Sequence, residues 1–210
     1  MHPVLTWLER LNYKERYYLL QRVTGGITLG EDMRQTLNKA FQVEVPRKVA
    51  VYIDYHLDWL HAALEAAKSG AADGGTFSNS AGVATGTQRD ADLLVAFEGV
   101  DAVHLLMLEA KLKGGWNPGQ LAGKLNRLTR IFGNTGGLYK DQGIRPHFGL
   151  VSPDQPPKKL NNGRPGWMMV NGSLPWVPMP ASNRYVVYRS DEKGRRRKDA
   201  GHYRLIRHRT

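Results

Sequence analysis

Asp92, Glu109 and Lys111 are the residues of this sequence whose types and spacing could do chemistry. The stretch HLLMLEAKLKGG, residues 104–115, starts apolar enough to be buried on both faces of a sheet and ends in Glu109 and Lys111. Side chains two apart on a strand share a face, roughly 6–7 Å apart. Glu109 and Lys111 therefore stand together, and Leu108, Ala110 and Leu112 face the other way. A second apolar run, DADLLVAFE, precedes this one across the short turn Gly99-Val100-Asp101. If the two pair as an antiparallel hairpin, the start of the first lies opposite the end of the second, and Asp92 meets Glu109 and Lys111. Two carboxylates with a backbone carbonyl and water suit Mg²⁺ or Mn²⁺. Such an ion lowers the pKa of a bound water and stabilises charge on a phosphate. A lysine beside it can position or deprotonate the attacking water, or offset the charge that builds on the phosphate. Asp90 shares the face of Asp92 and is the competing ligand; Asp92 is preferred because the apolar run begins right after it. E-x-K alone is a weak signal, and its bland reading is a surface ion pair contributing little. The conjunction with Asp92 on consecutive apolar strands raises it above that.

The elements around this hairpin read as follows. PVLTWLERL is a short amphipathic helix, and NYKERYYLLQRV follows with Asn12 as an N-cap and Glu15 three residues on. Gly25-Gly26 breaks the pattern, and TLGEDMRQTLNKAF restarts it with acids in the first turn. After Pro46, AVYIDYHLDWLHAALEAAK reads as one long helix, with Ile53, Leu57, Leu60 and Leu64 at helical spacing. Asp54, Asp58 and Glu65 would form an acidic stripe on that helix, able to supply a further carboxylate to the site; a solvated face is the plain alternative. Residues 69–88 form a Gly-, Ser- and Thr-rich loop with room for one weak strand. NPGQLAGKLNRLTRIF is a helix with Leu121, Leu125, Leu128 and Phe132 on one face, and RPHFGLVSP is a buried strand. Strand, helix and strand in that order predict a parallel crossover. The segment from 153 is Pro-rich and irregular, and the tail makes two strands around a basic turn.

Composition narrows the function classes. The chain has 210 residues, 41% of them hydrophobic, and no cysteine, which excludes disulfides, zinc-thiolate sites and cysteine nucleophiles. No signal peptide or membrane-length apolar run is present, so the chain reads as soluble and cytoplasmic, without a membrane partner. Of the net charge of +11, residues 140–210 carry +10, with 15 Lys and Arg against 5 Asp and Glu. A basic third on a nearly neutral body points to a polyanion such as nucleic acid. Arg195, Arg196, Arg197 and Lys198 between the tail strands are candidate phosphate contacts, with Arg204, Arg207 and Arg209 close behind. Arg89, Lys113 and Lys124 flank the carboxylates and join them. Trp116, Trp167 and Trp176 fill core or stack on bases, core being the commoner fate. His56 and His61 are five apart and make no helical ligand pair; GQLAGK misses the phosphate-loop spacing, and NGSLP lacks the second glycine of a nucleophile elbow.

Asp92, the run LLVAF, and Glu109-Ala110-Lys111 after a hairpin turn resemble the PD-(D/E)XK nuclease superfamily, with its restriction-endonuclease-like fold. The resemblance covers residues 50 to 152, and the expected order of helix, three-stranded meander, helix and strand is similar to that family's core. It implies that Asp92 and Glu109 hold a metal and that Lys111 is the catalytic lysine. It also implies an acid from the first core helix, Asp58 or else Asp54 or Glu65, and a polar residue on the helix after the catalytic strand, Gln120 or Lys124. Ala91 stands where the family's proline is usual, and the first meander strand is not obvious in the Gly/Ser-rich loop. The expectation is a mixed α/β fold in three stretches forming one structural domain. These are a helical extension over 1–48, a nuclease-like core over 49–152, and a Pro-rich segment with a basic β-hairpin packed on that core over 153–210. The expected function is metal-dependent hydrolysis of phosphodiesters, with DNA the substrate the resemblance favours and a homodimer suited to double-strand cleavage. The alternative is a nucleic-acid-binding or complex subunit that keeps the fold without the chemistry.

Overall fold

A computed structural model describes residues 1–71, 74–87, 89–112, 115–180 and 184–208. The chain divides into two units, residues 1–178 and 179–210. Pro3 opens α1 (Pro3–Leu11), where its missing N–H costs nothing. Asn12 closes this helix, its N–H donating to Glu9 O at 3.3 Å, instead of capping the next one. α2 (Glu15–Thr24) starts after Lys14 and stops at Gly25, whose φ of +72° suits a glycine cap. α3 (Glu31–Phe41) carries Glu31 and Asp32 in its first turn and buries Leu37 and Phe41.

The long helix expected after Pro46 is a strand followed by a helix: β1 (Ala50–His56), then α4 (Leu57–Ser69). Val51, Tyr52, Ile53 and Tyr55 are β-branched or aromatic and fit a pleated surface, and they find a partner strand further along the chain. Leu57, Leu60 and Leu64 do line the buried face of α4; Ile53 met their spacing by coincidence. The acidic stripe accordingly divides, with Asp54 on the strand and only Asp58 and Glu65 on the helix. His56 starts α4, its ring Nδ1 accepting the Asp58 N–H at 3.1 Å.

The described residues of the loop after α4 contain no strand. β2 (Asp90–Glu98) and β3 (Val103–Ala110) form the expected hairpin, and α5 (Pro118–Phe132) crosses to β4 (Ile144–Ser152), which pairs parallel to β3. The segment expected to be irregular contributes β5 (Trp176–Pro178), parallel to β4. Proline is tolerated there because β5 is an edge strand. The sheet order is β1-β2-β3-β4-β5, so β1, β2 and β3 are an antiparallel meander with α4 in its first connection.

The main core joins one sheet face (Leu94, Ala96, Leu105, Met107) to α1, α4 and α5 through Leu8, Leu60, Leu64, Leu125, Leu128 and Phe132. Each fully buried leucine contributes roughly 1.5–3 kcal/mol. Within β1, Asp54 has φ +52°, a left-handed conformation that aspartate tolerates better than most residues. The ladder runs from Ile53↔Leu93 to Tyr55↔Ala91 around it. Tyr52 and Tyr55, three apart, would face opposite ways on a regular strand. The turn at Asp54 lets both bury, with ring centroids 5.2 Å apart.

In the second unit, β6 (Arg184–Ser190) and β7 (His202–His208) pair antiparallel from Arg184↔His208 to Ser190↔His202. The basic run 195–198 lies in their connection, as expected. Among the described residues, no helix is long and apolar enough to cross a membrane.

Candidate active site

The β2–β3 register, Leu93↔Leu108, continues outward to set Asp92 opposite Glu109. Asp92 is held there by its own chemistry, because its Oδ2 accepts the N–H of Ala110 at 2.7 Å. Lys111 lies one residue past β3, and its N–H donates to Val151 O at 2.8 Å, so the ladder runs on to it. Alternation then sets Lys111 on the side of Glu109. From above the sheet, α5 sends Lys124 into the same place. Its ammonium donates to Glu109 Oε2 and lies 3.9 Å from Asp92 Oδ1. The Lys124 side chain is only 14% exposed, against 25% for Glu109 and 35% for Asp92.

More charge surrounds this group. The β1–β2 ladder brackets Asp54 opposite Asp92, so Asp54, Asp92 and Glu109 occupy one row across three strands. Asp54 lies 3.7 Å from Arg16, and Asp90 is paired with Lys14 at 2.8 Å. Burial pushes the Lys124 amine below its usual pKa, while Asp92, Asp90 and Asp54 pull it back up and Arg89 pushes it down again. The Arg89 guanidinium lies against Gly123, where an added Cβ would come within 2.7 Å of it. Glycine inside a helix costs roughly 1 kcal/mol relative to alanine; here it leaves room for a cation beside the carboxylates.

Other expected site residues go elsewhere. Asp58 accepts the N–H groups of Thr85 and Gly86 at 3.2 and 2.8 Å and is ion-paired with Arg127 of α5. Glu65 accepts the Tyr139 hydroxyl at 2.6 Å, and burial is the largest cause that raises the Tyr139 pKa. Gln120 is in the first turn of α5; its side chain and the whole of Lys113 lie outside the described residues, as does Arg209. Arg195 is bound to Asp191 through its N–H and Nε at 2.9 and 2.8 Å, while Arg196, Arg197 and Lys198 are exposed.

Sequence reasoning missed Lys14 and Arg127 as partners of site acids, and read Lys124 as a phosphate contact or as the polar residue the resemblance implies on this helix, where the structure pairs it with Glu109. A signal for Lys124 did exist. It falls three after Leu121 and four before Leu128, on the apolar stripe of α5, where a lysine must find a buried counter-charge. Nothing local marks Lys14.

Among the described residues, no group of three or more His, Asp and Glu is preassembled around a common point. The donors present nevertheless fit a hard divalent cation, which Mg²⁺ sites commonly hold through one or two carboxylates plus water and substrate oxygens. Asp92 and Glu109 already share one cation, the Lys124 ammonium, and the buried Asp90 Oδ1 has no hydrogen-bond partner among the described residues. Compared with known proteins, the chain matches no family model, no curated protein and no solved structure.

Proposed function

We propose that this chain is a metal-dependent nuclease that hydrolyses phosphodiester bonds, with DNA as the substrate its resemblance to the PD-(D/E)XK superfamily favours. The observation that carries the reading is the register setting Asp92 opposite Glu109 at the open end of the β2–β3 hairpin, with Lys111 just beyond. The succession of α3, the β1–β2–β3 meander, α5 and the parallel β4 supports a restriction-endonuclease-like core, with α4 as an insertion in the meander. Asp92 and Glu109 would hold Mg²⁺ or Mn²⁺, with Asp90 as the adjacent carboxylate. The ion would supply an activated water and charge stabilisation on the phosphate. Lys111 would orient that water or offset phosphate charge, and the basic β6–β7 connection would follow the backbone of the nucleic acid.

The test is cleavage of supercoiled, linear and single-stranded DNA and of RNA with Mg²⁺ or Mn²⁺, beside Lys111→Ala and Asp92→Ala. Activity lost in both variants with nucleic acid binding retained supports the enzyme. A wild type that shifts nucleic acid in a gel and cuts none of these substrates supports a binding subunit instead. The exposed basic run 195–198 supports nucleic acid binding under either reading, independently of the carboxylates.

A further inference from the structure

We propose that the Lys124 ammonium is a built-in counter-cation holding the place of the divalent ion, so that the ion binds by displacing it. The inference rests on the reading of Asp92 and Glu109 as metal ligands and concerns what that site does when no metal is bound.

Like charges directly opposite on neighbouring strands destabilise a sheet. Asp92 and Glu109 are in that relationship, and Asp54 continues the row on β1. Two nearby acids have outside partners, since Lys14 takes Asp90 and Arg16 lies beside Asp54. Asp92 and Glu109 share Lys124. The lysine is delivered by a helix whose Leu121, Leu125 and Leu128 are buried in the main core, and its amine reaches the carboxylates. A lysine is suited to this duty because its ammonium is a compact point charge on a flexible stem, able to swing away when a stronger cation arrives. Affinity for the metal is then a difference, the attraction of the ion less the attraction of the ammonium it displaces. Displacement also frees one positive charge beside the bound ion, where a phosphate would sit.

Lys124→Met removes the competitor and keeps an unbranched side chain in the apolar stripe, and Lys124→Arg keeps the charge. The experiment is Mn²⁺ titration of the metal-free full-length proteins, followed by electron paramagnetic resonance of free Mn²⁺ and by calorimetry, with Asp92→Asn as the ligand control. Circular dichroism melts verify that each variant is folded before titration. The expected result is tighter Mn²⁺ binding in Lys124→Met by at least about tenfold, 1.4 kcal/mol at 25 °C, no such gain in Lys124→Arg, and loss of binding in Asp92→Asn. In melts, Lys124→Met should lose stability without metal and regain more of it with Mn²⁺ than wild type does. Equal or weaker Mn²⁺ binding in a folded Lys124→Met overturns the counter-cation role and leaves the metal site standing. Absence of Mn²⁺ binding in wild type and in both Lys124 variants overturns the metal site itself, and the inference with it.

Discussion

Asp58, in the first turn of α4, is ion-paired with Arg127, in the middle of α5, and the two side chains are 16% and 6% exposed. Arg127 also donates to Val83 O at 2.8 Å, and Asp58 accepts two amides of the same loop. This pair ties two helices and the loop before β2 together. Removing one partner of a buried pair strands the other, at a cost of about 3–5 kcal/mol. Asp58→Ala should therefore lower unfolding stability by about that much, measured by urea titration, and Asp58→Asn by less because an acceptor remains. Mn²⁺ affinity should be unchanged in Asp58→Asn. A stable Asp58→Asn that binds Mn²⁺ poorly would instead make Asp58 part of the metal site.

Gly149 of β4 faces Phe41 of α3 so closely that an added Cβ would lie 2.5 Å from the ring. Overpacking of this kind costs typically 1–3 kcal/mol. Gly149→Ala should show a loss in that range by urea unfolding, and Phe41→Leu in the same chain should recover part of it. Additive losses in the double variant would refute the contact as the cause.

The parts of this fold legible in the sequence are those whose neighbours are close in the chain. LLVAF and HLLMLE are continuous apolar runs joined by a short turn, so their hairpin, and with it the meeting of Asp92 and Glu109, follows from spacing alone. β1 was hidden because Ile53 lies at helical spacing from Leu57, and only its distant partner β2 makes AVYIDYH a strand. β5 was hidden by its flanking prolines, which an edge position accommodates. The ion pairs Lys14–Asp90 and Asp58–Arg127 join residues far apart in sequence, and charge at such distances carries no local pattern. The matched acid and base are seen only once the helices are docked.

On the sheet face opposite the main core, the rings of Phe97, His104 and His147 stack in sequence and Phe41 meets His147 edge-on, with His104 Nδ1 3.0 Å from His147 Nε2. Burial, then the charges of His104 and Arg145, pushes the His147 pKa down to about 3, and burial likewise lowers His104 despite Asp101. A depressed folded-state value means the unfolded chain binds protons that the native one refuses. Stability from this pair is therefore complete above the unfolded value of about 6.5 and falls as pH drops toward 3, by up to ~1.4 kcal/mol per pH unit for His147. Urea unfolding at pH 7.5, 5.5 and 4.5 should show that loss. His147→Phe should flatten the slope relative to wild type, whatever its stability at pH 7.5. An unchanged slope would mean that carboxylates, and not this pair, set the acid sensitivity.

The β6–β7 connection makes a quantitative demand on nucleic acid binding. Arg195 is partly neutralised by Asp191, whose carboxyl is held below its usual range first by the Arg195 N–H. Arg196, Arg197 and Lys198 are exposed and have no such carboxylate partner among the described residues, and their backbone is fixed by Arg197 N–H to Arg189 O at 3.1 Å and Arg189 to Lys198 O at 3.0 Å. Each phosphate contact on duplex DNA contributes about 0.9 to the slope of log affinity against log salt. The triple variant Arg196→Gln/Arg197→Gln/Lys198→Gln should lose roughly two to three units of that slope, and its affinity should fall alike for unrelated sequences. Arg195→Gln should lose less than one unit, because Asp191 already claims part of its charge. Fluorescence anisotropy across a potassium chloride series measures both. A triple variant with the wild-type slope would remove this connection from the interface and leave Arg89 and the cations around the carboxylates as the phosphate contacts to test.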